Sequence, residues 1–80
     1  MSVALSEDAR TLLGQVVALG EEHPGGWVVD RILWKAAELD YDAYVDAADQ
    51  LFENELVERE GTDFAKLKAT PKGMRQAKGV

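Results

Sequence analysis

The sequence predicts an α+β domain of three helices, a two-stranded β-hairpin and a short closing helix, on three observations. Apolar residues recur at helical spacing in three stretches between Ser6 and Asn54. Residues 56–69 alternate about the turn residues Gly61, Thr62 and Asp63, and Thr70-Pro71 then joins a capping hydroxyl to a proline at the first helical position. The 80 residues make a single domain, 1–80. A chain this short removes only about 60 to 65% of its unfolded surface from water, so most of its apolar residues must be used.

The first helix starts at Ser6, an N-cap followed by Glu7 and Asp8 where the helix dipole favours acids; Ala9, Leu12, Leu13, Val16 and Val17 carry it to about Leu19 and Gly20. Glu21 to Gly26 is a loop, since Pro24 has no amide donor and disfavours helix at His23. Trp27, Val28 and Val29 form a short extended piece. Asp30 is placed to cap a second helix, roughly Arg31 to Glu38, with Ile32, Leu33, Ala36 and Ala37 turned inward. Asp40 or Asp42 opens a third helix to about Asn54, with Tyr44, Ala48 and Leu51 inward and Tyr41, Val45 and Phe52 widening the apolar face. Leu56 to Glu60 and Phe64 to Ala69 are the hairpin strands; Phe64, Lys66 and Lys68 fall on one side, Ala65, Leu67 and Ala69 on the other. The last helix runs from Pro71 to about Ala77.

With no cysteine, the chain has no disulfide framework, thiolate metal site or cysteine nucleophile. No run approaches the roughly 18 apolar residues that span a bilayer, and Met1 to Leu5 has no basic leader, so a soluble, cytoplasmic protein without a membrane partner is expected. The net charge of −6 is unevenly spread: twelve acids and three bases up to Glu55 give −9, and three acids and six bases from Leu56 onward give +3. A low pI also suits plain solubility or a salt-adapted host.

In this order and spacing the chain resembles the winged-helix family of bacterial and archaeal regulators, the group that includes MarR-like and PadR-like DNA-binding domains. Three pieces carry the resemblance, which covers nearly the whole chain. Asp40 to Val57 is similar to the family's recognition helix running into the first wing strand, the hairpin about Gly61 to its wing, and Ala69-Thr70-Pro71-Lys72-Gly73 to the exit into its last helix. The resemblance implies a DNA-binding regulator and allows a homodimer. One departure is Glu55, where the family usually has glycine before the Leu-Val pair; Asn54 is expected to make the left-handed turn instead.

The second departure is chemical. Asp42, Asp46, Asp49 and Glu53 stand at i, i+4, i+7 and i+11, one face of the helix that in the family reads DNA, and Tyr41 to Asn54 holds no lysine or arginine. Such a helix releases no counterions from phosphate and meets the duplex with like charge, so major-groove docking is disfavoured. The first reading therefore places double-stranded DNA on the wing and C-terminal segment, with Lys66, Lys68, Lys72 and Arg75 as phosphate contacts and Arg59 and Lys78 nearby. The alternative is a protein-interaction module in which Asp42, Asp46, Asp49 and Glu53 dock on a partner with a basic surface, without DNA. Each patch also has a plainer account, as a solvated helix face and as lysines that keep a hairpin edge soluble.

Trp27 is expected in the core. Trp34 falls between core edge and exposed anchor for a partner or second subunit, and His23 is expected in solvent. The acids do not follow a calcium loop, since Val45 stands where glycine and Leu51 where glutamate is needed. No cofactor, metal site, phosphate-cradling motif or nucleophile is expected, and no enzyme.

Overall fold

The computed structural model describes residues 5–61 and 63–79; Thr62 of the expected turn and all but the last residue of Met1–Leu5 lie outside them. Helix α1 (Glu7–Gly20) begins where expected: Ser6 is extended and its Oγ accepts the Ala9 amide at 3.1 Å, with Glu7 and Asp8 in the first turn. It buries Ala9, Leu12, Leu13 and Val16. Its far end is closed by His23, whose Nδ1 donates to the Leu19 carbonyl at 2.7 Å, so this ring is half-buried and employed rather than free in solvent. A single 3₁₀ turn at Pro24–Gly26 follows.

The extended piece after it is a strand, β1 (Val28–Val29), and this changes the architecture. The hairpin strands β2 (Val57–Arg59) and β3 (Lys66–Ala69) pair antiparallel, and β1 adds to the other edge of β3, giving a three-stranded antiparallel sheet in the order β1-β3-β2 where two strands were expected. Val28 lies opposite Leu67 and Val29 opposite Lys66, while Val57, Glu58 and Arg59 face Ala69, Lys68 and Leu67. A hairpin of two strands leaves the outer edge of each strand unpaired, and residues 28–29 satisfy part of the edge of β3.

Helix α2 (Asp30–Ala36) is shorter than expected and Asp30 is not its cap. The cap position is Val29; Asp30 is the first helical residue, its amide donating to the Ala65 carbonyl at 2.8 Å and its carboxylate accepting from the Arg31 amide. Tethered there, the helix turns Leu33 and Ala37 inward and leaves Ala36 and Ile32 in solvent, Ile32 at 39% exposure, so half of the expected inward stripe is outward.

Helix α3 (Tyr41–Glu53) is capped by Asp40, whose Oδ1 accepts the Ala43 amide at 2.8 Å. Tyr44, Ala47, Ala48 and Leu51 are buried, Val45 and Phe52 are half-buried, and Tyr41 projects with 58% of its surface exposed. α2 and α3 end alike, in turns where a glutamate takes the left-handed conformation that glycine usually supplies: Glu38 at φ 58° with Leu39 N bonded to Trp34 O, and Glu55 at φ 61° with Leu56 N bonded to Leu51 O. Asn54, expected to make that turn, has φ −97° and instead caps with its side chain, Nδ2 donating to the Gln50 carbonyl at 2.7 Å.

Helix α4 (Pro71–Lys78) opens on Thr70 as the sequence indicates and closes on left-handed Gly79. Thr70 ties three segments: its Oγ1 accepts from Gly73 N and donates to Glu55 O, and its amide donates to Leu56 O. Gly73 lies against the same carbonyl so closely that a Cβ there would stand 2.0 Å from Leu56 O. The fold is thus α+β, one layer of helices packed on the inner face of the sheet, with Leu12, Leu33, Leu51, Leu56 and Leu67 at its centre.

Candidate functional site

Because α3 buries Tyr44, Ala47, Ala48 and Leu51, the intervening Asp42, Asp46, Asp49 and Glu53 are all driven to the surface. Asp42, Asp46 and Asp49 rim a shallow groove of about 390 Å³ whose apolar floor is Tyr41, Val45 and Phe64. Phe64 comes from the loop before β3. Tyr44 donates its hydroxyl to the Phe64 carbonyl at 2.6 Å, Asp63 Oδ1 accepts the Ala65 amide, and the Phe64 ring packs edge-on against Phe52 at 6.2 Å. This bend takes Phe64 off the lysine face and against the core, so it does not join Lys66 and Lys68 as the alternation predicts.

The sequence reading missed the three apolar members of this groove and the two acids behind it, Asp30 and Asp63, which line the adjoining hollow with Tyr44. Tyr41 and Val45 are spaced i, i+4 like Asp42 and Asp46, and that parallel pairing was the available signal for a mixed apolar and acidic face. Burial, and then the negative charge of Asp30 ahead of Tyr41 and Asp63, pushes the Tyr44 hydroxyl well above the ordinary tyrosine range, keeping it a proton donor to Phe64. Glu53 is separate from the three aspartates: it lines a second shallow groove with Phe52, Glu55 and Arg59. The Arg59 guanidinium lies over Phe52 at 4.1 Å and over Phe64 at 5.1 Å, between the two grooves.

The four expected phosphate contacts fall into two pairs. Lys66 and Lys68 alternate with buried Leu67 and Ala69 and so lie on the outer side of β3. Lys66 Nζ is 3.5 Å from Glu60, and Lys68 faces Glu58 across the ladder with its Nζ 5.9 Å from the centre of the Trp27 ring. Lys72 and Arg75 are exposed on α4, and Lys72 Nζ donates to the Asn54 carbonyl at 3.1 Å, at the negative end of α3. Lys78 reaches Glu21 at 4.0 Å. Trp27 is half-buried beneath Lys68 rather than part of the core. Trp34 packs against the core edge, perpendicular to Tyr41 at 5.4 Å and to Tyr44 at 5.8 Å, so Tyr41 is the exposed ring of this pair and Trp34 its backing.

No family model, curated protein or solved structure matches the chain. No helix among the described residues is long and apolar enough to cross a membrane.

Proposed function

We propose that the chain is a winged-helix domain that docks a basic partner protein on the acidic face of α3. Helices in the order α1, α2, α3, followed by a hairpin that rejoins the sheet, support the fold reading. The observation that carries the function is the groove that Asp42, Asp46 and Asp49 line together with Tyr41, Val45 and Phe64. Carboxylates around an apolar floor suit a peptide segment or helix that presents aliphatic side chains flanked by lysine or arginine: the floor supplies desolvated contact area and the rim supplies orientation and a fast, salt-sensitive encounter. The same rim opposes a duplex, since α3 offers no cation to displace counterions.

The test is a titration of the 15N-labelled protein with an amphipathic lysine- and leucine-containing peptide, and separately with a mixed-sequence DNA duplex. The expected result is peptide-induced shifts at Tyr41, Val45, Asp46 and Phe64, lost in the Asp42→Asn, Asp46→Asn, Asp49→Asn, Glu53→Gln variant. Equal peptide binding by that variant refutes the reading.

DNA contact through the hairpin and α4 is the second reading, favoured by one observation: Lys66 and Lys68 lie on the outer side of β3, and Lys72 and Arg75 are exposed on α4. It requires duplex binding at about 50 mM salt that falls with a log–log slope of about −0.9 per phosphate neutralised. Lys66→Glu with Lys68→Glu is expected to abolish such binding, and an unchanged isotherm would remove the hairpin from it.

A further inference from the structure

The C-terminal end of α1, the 3₁₀ turn, β3 and α4 enclose a cleft of about 250 Å³. Val16, Val17, Ala69 and Met74 give it apolar walls, and the backbone of Gly20 and Gly26 closes one side. Those glycines set its shape. A Cβ on Gly20 would stand 3.2 Å from the Gly26 carbonyl, and one on Gly26 would meet the Lys68 stem at 3.6 Å, where φ of 79° already disfavours a side chain. Met74, 42% exposed, stands at the mouth.

Two charged groups border the cleft, and they differ. Glu21 is drawn toward Lys78, whereas Lys68 is half-buried and forms no salt bridge among the described residues, although Glu58 lies opposite it in the ladder; its ammonium is 5.9 Å from the centre of the Trp27 ring. An apolar slot with a lysine that forms no salt bridge at its edge is complementary to a molecule with a hydrocarbon body and a single anionic end. The volume lies just below the roughly 300 Å³ at which pockets for drug-sized ligands begin, so the body is small, and a short alkyl chain fits it.

We propose that this cleft binds a short-chain aliphatic monocarboxylate, its alkyl chain between Val17 and Met74 and its carboxylate on the Lys68 ammonium. Binding is independent of the acidic groove and of the protein-docking reading; Lys68 is shared with the DNA reading, and a carboxylate held there would compete with phosphate.

The probe is hexanoate, titrated against the 15N,13C-methyl-labelled whole chain, with hexanol as the uncharged control. The expected Kd is on the order of 1 mM, from the efficiency of a ligand this small. Methyl shifts are expected at Val16, Val17 and Met74 and amide shifts at Gly20 and Gly26, leaving Tyr41, Val45 and Asp46 unmoved. Lys68→Met should weaken hexanoate about tenfold, the size of one charge-assisted hydrogen bond, and leave hexanol unchanged, while Lys68→Arg retains hexanoate binding. Circular dichroism of each variant establishes that the fold is kept, and Met74→Phe, which narrows the mouth without touching Lys68, should exclude both ligands. No shift in the cleft at tens of millimolar hexanoate, or equal hexanoate affinity in Lys68→Met, overturns the proposal.

Discussion

At the residue scale, the tightest constraint is between Gly73 and Leu56. Any side chain at position 73 strikes the Leu56 carbonyl, which already accepts the Thr70 amide and cannot withdraw without opening the junction of strand and helix. Gly73→Ala is therefore expected to cost about 3 kcal/mol or more, a large share of the roughly 4 to 12 kcal/mol available to 80 residues. Urea denaturation checks this, and a loss under 1 kcal/mol, roughly one ordinary surface effect, would contradict the packing. Glu55 gives the opposite case. A glutamate at φ 61° carries strain that glycine would not, so Glu55→Gly should raise stability by about 0.5 to 1 kcal/mol in the same assay. Tyr44 links stability to pH. Its hydroxyl titrates higher in the folded state than the ordinary value of 10.0 shown by an unfolded chain. Above that value the unfolded state has released a proton that the folded state keeps, so stability falls as pH rises through and beyond 10.0, and is fully present below it. Tyr44→Phe is expected to lose about 1 to 2 kcal/mol at neutral pH and to flatten that alkaline slope; a slope equal to the wild type's would show that another group produces it.

At the scale of elements, Thr70 does for α4 what Asp40 does for α3, and one thing more. The Asp40 side chain makes one bond, from the Ala43 amide, so Asp40→Ala should cost about 1 kcal/mol, as an ordinary cap does. Thr70 also donates to the Glu55 carbonyl, so Thr70→Ala should cost more than Asp40→Ala and Thr70→Ser should recover most of it. If the two alanine variants lose the same stability, the second bond contributes nothing. The helices were readable in the sequence because each has a local signature: Ser6, Asp40 and Thr70 are caps acting on amides three residues away. What escaped was non-local. Nothing within residues 28–29 says that they pair with a strand nearly forty positions later, and nothing near Asp30 says that its amide is spoken for by Ala65. The same distinction governs the site. The acidic stripe is a periodicity and was legible; Phe64 beneath it depends on a bend held by Tyr44 from another element, and was not.

At the scale of the whole molecule, charge and packing are divided between different sets of residues. The negative excess gathers in the first 55 residues and on the outside of α3, none of it buried. Screening that excess should stabilise the fold: Tm is expected to rise between 0.05 and 0.5 M sodium chloride, as the Debye length shrinks from about 14 Å to about 4 Å. A Tm that falls with salt would mean that attractive pairs, such as Lys66 with Glu60, outweigh the repulsion. The pairing of Val28 with Leu67 has a further consequence, for the order in which a ribosome delivers the chain. A nascent chain of 55 residues possesses α1, α2 and α3, yet lacks Leu56, Val57, Leu67 and Ala69, and β1 has nothing to pair with. Its leucines lack their cover until residues 67–73 are made, since α4 must also seat Gly73 on Leu56. Folding of this domain therefore waits on residues through 73, and a chain truncated anywhere before position 73 should yield a polypeptide that proteases clear rather than a smaller working domain.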